Sequence, residues 1–167
     1  MAVLTLTDAD VVEARLQVGA WVTASVLSDA QIKADTVLGA ASDYVFEKIR
    51  EGLDLTKLTD AERQIVERFR DETDDDIASF VNTVLKPPQR TQMRRAVIYR
   101  TAGLCVPIVA RVLRESAAGV DTEREILRTQ DELFRLCDSE ISRLRAAFPD
   151  DAFLKPLSDY TLFSVTS

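Results

Sequence analysis

The chain has 167 residues, 46% hydrophobic and 29% charged, a balance that supports one globular domain with a sizeable core and excludes a wholly disordered or fibrous chain. Twenty-eight acidic residues against 21 basic ones leave a formal net charge of -7, which disfavours a nucleic-acid-binding surface, and the absence of histidine removes the commonest general base and transition-metal ligand. Met1 to Asp10 lacks the basic and apolar regions of a secretory signal, and no apolar run approaches the ~20 residues of a membrane span, so synthesis in the cytosol with no membrane partner is expected.

Thr7 followed by Asp8, Ala9 and Asp10 predicts a helix start, with acids where the macrodipole favours them, and a short helix to Val18 ending near Gly19. Ala20 to Leu27 is apolar and β-branched and predicts an extended crossing or a short strand. Ser28 with Gln31 has capping-box spacing and opens a stripe of Ala30, Ala34, Val37, Leu38, Ala41, Val45 and Ile49 at helical period up to Gly52. The small residues Ala34, Gly39, Ala40, Ala41 and Ser42 mark a close packing face.

Thr59 with Glu62 repeats the capping spacing, and Ile65 to Leu85 continue in helical register with one weak turn. That turn holds Asp71, Glu72, Asp74, Asp75 and Asp76. It lacks the glycine and the terminal glutamate of an EF-hand loop, so a solvated acidic face or a kink is the expectation, and no metal site is assigned.

Pro87 and Pro88 are expected to end that element, with a central helix beginning at Gln89 or Thr91 and running on through Ile108. This is the least polar helical pattern in the chain, and the one-sided stripes around it need such a partner. Arg90, Arg94 and Arg95 gather on its first turns and can pair with the 71–76 acids, either within one chain or on a neighbour. Pro107 predicts a kink after about Gly103, and Gly119 a helix stop. Thr122 with Glu125 predicts the cap of a last helix whose inner stripe is Ile126, Leu127, Gln130, Leu133, Phe134, Cys137, Ile141, Leu144 and Phe148. Its solvent face carries Arg124, Arg128, Asp131, Glu132, Arg135, Asp138, Glu140, Arg143 and Arg145. Cys105 and Cys137 fall within apolar stripes and read as buried free thiols.

After Pro149 the character changes. Residues 158–167 are β-prone, and Tyr160, Leu162, Phe163 and Val165 lie too close together for an ordinary frayed terminus, which points to an arm that docks on a partner. The organisation expected is therefore an all-α bundle of four to five helices over residues 1–148 with an extended arm over 149–167.

No phosphate loop, nucleophile elbow, CxxC pair or helical metal motif is present. Acid pairs such as Asp131 with Glu132 could hold magnesium in an all-α nucleotide hydrolase. That chemistry needs acids converging on an inward face, and here Leu133, Phe134, Cys137 and Ile141 fill it. Neither enzymatic activity nor a cofactor is expected.

Three segments together carry a likeness. They are Ser28-Asp29-Ala30-Gln31-Ile32 leading into Ala40-Ala41-Ser42-Asp43-Tyr44-Val45, then Arg94-Arg95-Ala96-Val97-Ile98-Tyr99-Arg100-Thr101-Ala102-Gly103-Leu104, then Leu133-Phe134-Arg135-Leu136-Cys137-Asp138-Ser139-Glu140-Ile141. Over about residues 28–148 the chain resembles the head-to-tail connector, or adaptor, proteins of tailed bacteriophages. The resemblance implies a virion neck protein made in the host cytoplasm and assembled as a dodecameric ring below the portal. Its C-terminal arms, here Tyr160, Leu162, Phe163 and Val165, would dock on the portal, and tail or stopper proteins would join its other end. DNA would pass through the lumen without specific binding, helped by net negative charge. Arg90, Arg94 and Arg95 against Asp74, Asp75 and Asp76 of a neighbour are the inter-subunit candidates. The runner-up is a non-catalytic regulatory module that self-associates through its small-residue faces.

Overall fold

The computed structural model describes residues 6–52, 59–61, 63–64, 81, 85–115 and 120–146, with only the backbone of 50, 120–124 and 145–146. The described residues are all-α. Helix α1 spans Asp8–Val18, α2 Asp29–Ile32, α3 Ala40–Glu51, α4 Pro87–Glu115 and α5 Val120–Ala146, with a π-helical turn at Asp35–Gly39 before α3.

Helix α1 has the bounds its end signals predict. Thr7 is the N-cap: its hydroxyl accepts the Asp10 backbone N–H at 3.4 Å, and the Asp10 carboxylate accepts the Thr7 N–H at 2.6 Å, so two otherwise orphaned amides are satisfied. At the other end the Gly19 N–H donates to the Arg15 carbonyl at 3.3 Å. Val11, Ala14 and Val18 face inward, whereas Val12 and Leu16, one turn apart on the outer side, are 50% and 55% exposed.

Ala20 to Leu27 corrects the expectation of a strand or extended crossing. The segment is a run of turns, with Val22 N–H donating to Gly19 O at 2.9 Å and Leu27 N–H to Thr23 O at 3.0 Å. The reason is tertiary. Val22 and Leu27 are buried, and the chain must coil to bring both inward, while Arg15 Nε holds the Leu27 carbonyl at 2.9 Å. Gly19 lies against the Trp21 side chain, and a Cβ there would stand 2.8 Å from Trp21 Nε1.

Ser28 and Gln31 form both halves of their capping box. The single long helix expected after them is instead α2, the π-helical turn and α3. Ala34 is extended, and its carbonyl accepts from both Val37 and Leu38 N–H at 2.9 and 2.8 Å. The break shifts the phase of the stripe: Ala30 is exposed and Ile32 buried, while Val37, Leu38, Ala41, Val45 and Ile49 are buried as expected. Gly39 and Ser42 are buried too, in keeping with a close packing face. At Thr59 a helical start is present, with Arg63 N–H donating to Thr59 O at 2.8 Å; Glu62 and the Asp71–Asp76 run lie outside the described residues.

Pro87 and Pro88 begin α4, which corrects the expected start at Gln89 or Thr91. They occupy the first two helical positions, where the amide that proline lacks would have had no intrahelical acceptor. Buried Gln89 then reaches back with Oε1 to the Lys86 N–H at 2.9 Å, acting as the third residue of a cap. The helical backbone runs through Pro107 without interruption. Helix α4 is the centre of the bundle, packing most extensively on α5, then on α1 and α3. Against the reading of no apolar run long enough to span a membrane, α4 reaches that threshold by length and composition, with a mean hydropathy of 1.6 in its most apolar window. More than half of that window is buried within the bundle, as a core helix requires.

Helix α5 starts at Val120, so Thr122 lies in its first turn rather than at its cap; Gly119 is outside the described residues. Ile126, Leu133, Cys137, Ile141 and Leu144 are buried, while Leu127 is exposed. Glu140, expected on the solvent face, is 4% exposed. It lies one helical turn from Cys137 and from Leu144, both buried, on the edge of the inner stripe.

Candidate interaction surface

The arginines of α4 form two separate arrangements. At the N-terminal end, Arg94 is engaged inside the chain. Its Nε donates to Asp10 Oδ1 at 2.9 Å, one Nη pairs with Asp10 Oδ2, and the same nitrogen donates to Thr7 Oγ1 at 3.1 Å. The guanidinium therefore locks the capping box of α1 onto the central helix in a bidentate pair. Its hydrogen bonds hold the Asp10 carboxyl down at about 2, against the opposing effect of burial, and the arginine in turn is pushed up. Asp10 thus supplies Arg94 with a counter-charge inside the chain, whereas the partners expected for the basic trio were Asp74, Asp75 and Asp76 of a neighbour. Those three acids, and Tyr160, Leu162, Phe163 and Val165, lie outside the described residues. Arg90 Nε caps the Leu85 carbonyl at 2.9 Å, and Arg95 is exposed, so Arg95 is the member of the trio that faces outward.

Less than two turns further along α4, the helices α3, α4 and α5 meet at Arg100. The guanidinium carbon lies 3.8 Å from the centre of the Tyr44 ring and 4.0 Å from that of Phe134, a cation held between two aromatic faces. Each wall is itself fixed. The Tyr44 hydroxyl donates to Asp138 Oδ1 at 2.9 Å, and burial first, then this bond, pushes the phenol up to about 12. The Phe134 ring closes on Gly103, where a Cβ would stand 2.5 Å from its Cε1. Beside it Gln130 Nε2 donates to the Gly103 carbonyl at 3.0 Å. Arg100 Nε is shut off from solvent and has no hydrogen-bond partner among the described residues.

The remaining polar and reactive groups complete the description. Glu140 Oε1 accepts from Arg143 Nη1 at 2.7 Å, while its buried Oε2 has no partner among the described residues. Cys105 and Cys137 are buried free thiols, as expected, and burial pushes each up to about 12. Among the described residues no group of acids and cysteines is arranged to hold a metal ion.

Periodicity places Arg94, Arg100 and Phe134 on helices but carries no sign of what they touch. Asp10 reads as a capping acid, and Tyr44 only as part of a helical segment. Comparison of the chain with protein-family models, curated proteins and solved structures finds no match.

Proposed function

We propose that this protein is a structural component of a tailed-bacteriophage neck, a head-to-tail adaptor that docks on the portal ring and links capsid to tail. The observation that carries the reading is the composition beyond the last helix. Helix α5 ends at Ala146, and the sequence that follows concentrates Tyr160, Leu162, Phe163 and Val165 within a few residues, apolar side chains suited to a partner's groove. The resemblance of residues 28–148 to connector proteins supplies the partner class.

Two further features support the assembly. Helix α1 is apolar on both sides, with Val11, Ala14 and Val18 in the core and Val12 and Leu16 outward, and a helix of that kind is ordinarily covered on both sides. In a ring, the neighbouring protomer is what covers it. The excess of acidic residues, multiplied around a ring, lets DNA pass without adhering. In this reading Arg95, rather than Arg94, carries the basic side of the contact with the neighbour's acids. The outer face of α1 also suits a regulatory module that forms a small homo-oligomer, and the test separates the two. Electron microscopy of the purified chain mixed with portal rings is expected to give a second ring seated on one end of the portal. Bare portals, beside a small oligomer stable in free solution, would favour the regulatory module.

A further inference from the structure

Arg100 is the residue the fold has prepared most carefully and used least. Both faces of its guanidinium are covered, by Tyr44 and Phe134, and its Nε edge is closed. Among the described residues it takes part in no hydrogen bond and no ion pair, and the two terminal nitrogens are not shut off from solvent as Nε is. The other acid at hand, Asp138, accepts from the Tyr44 hydroxyl rather than from Arg100. A guanidinium whose plane is fixed before binding loses little freedom when it forms two parallel bonds, and the group that matches its open fork is a carboxylate.

We propose that Arg100 is a receptor for a single carboxylate borne by a protein partner. The terminal nitrogens donate both bonds, and the aromatic walls exclude water from the sides. A polyanion such as DNA is the less favoured ligand: Asp138 stands at the rim, and the chain as a whole carries -7, so the local field welcomes one negative charge and repels many. The inference stands independently of the neck assignment, because it requires only that some acidic side chain reach the clamp.

The probe is sodium acetate, titrated at constant ionic strength against the full chain while the amide resonances of Arg100, Phe134 and Asp138 are followed. A saturable shift of these signals in the millimolar range is expected. Arg100→Lys, which keeps the charge and removes the fork, is expected to weaken the midpoint by about tenfold, and Phe134→Leu, which removes one wall, by about threefold. Circular dichroism of each variant verifies that the fold is retained. Sedimentation of Arg100→Met against the parent then identifies the source: reduced self-association places the carboxylate on a second copy, and unchanged self-association with acetate binding intact in the parent places it on another protein. Linear, unsaturable shifts, equal midpoints for parent and Arg100→Lys, or a larger response to a short DNA duplex than to acetate would each overturn the proposal.

Discussion

Gln130 on α5 donates its side-chain amide to the carbonyl oxygen of Gly103 on α4, and that carbonyl is the one Pro107 leaves without a donor, since proline lacks the N–H that would reach back four residues. A proline in the middle of the core helix is thus compensated from the neighbouring helix, and the compensation sets the register of α4 against α5. The same glycine leaves room for the Phe134 ring that packs against Arg100.

Two substitutions test this register. Gly103→Ala gains helix propensity of about 1 kcal/mol but drives a Cβ into the Phe134 ring, and a net loss of about 1–2 kcal/mol in urea unfolding is expected, recovered in part by Phe134→Leu. Gln130→Ala leaves a carbonyl unpaired and is expected to cost about 1–2 kcal/mol. In a Pro107→Ala background, where the helix supplies its own donor, that cost should largely vanish. Equal costs in both backgrounds would show that Gln130 does not compensate for the proline.

The Asp10 to Arg94 pair predicts a dependence on pH. The carboxyl titrates at about 2 in the folded chain against an ordinary 3.8, so its stabilisation is complete above the ordinary value and is lost as pH falls through the folded one. Arg94 is 43% exposed, and solvent screening lowers the yield to about 1–2 kcal/mol at neutral pH. Urea midpoints of the parent and of Asp10→Asn are expected to differ by that amount at pH 7 and to converge towards pH 2. A gap that persists unchanged at pH 2 would contradict the pairing.

Glu140 offers a test of opposite sign. One of its oxygens is bonded to Arg143, which is itself 64% exposed, and the other is buried without a partner among the described residues. Replacing a poorly compensated buried carboxylate by an apolar side chain of similar size is often stabilising. Glu140→Met is expected to raise the melting temperature by about 2–4 °C, equivalent to about 1 kcal/mol in a chain of this size. A fall of similar size would mean that the second oxygen is satisfied after all.

What could be read in the residue order is what local chemistry decides. Thr7, Asp10 and Gly19 bound α1 because caps act within a few residues, and the Ser28 to Gln31 box does the same for α2. The all-α class and the central position of α4 followed from apolar spacing over many turns. Where distant contacts decide, residue order was a poor guide. Val22 and Leu27 must both turn inward, which defeats the β-branched preference of their segment. The extended Ala34 and the π-helical turn after it divide what the periodicity presents as one helix. Pro87 and Pro88 punctuate equally well as a stop or a start, and only Gln89 reaching back to Lys86 decides for the start. In the candidate surface, Arg94 was singled out for its charge, yet its partner Asp10 lies in the first helix. Tyr44, Arg100 and Phe134 come together from three helices, a meeting that no spacing within one helix encodes.

The measurement that bears most directly on the proposed function is co-sedimentation with a portal ring, comparing the full chain with one ending at Lys155. The adaptor reading predicts that the full chain pellets with the portal and that the shortened chain, lacking Tyr160, Leu162, Phe163 and Val165, stays in the supernatant although its helical spectrum and melting temperature are unchanged. Failure of the full chain to pellet, or equal pelleting of both, would contradict the account, the first by removing the portal as partner and the second by removing the arm as the means of attachment.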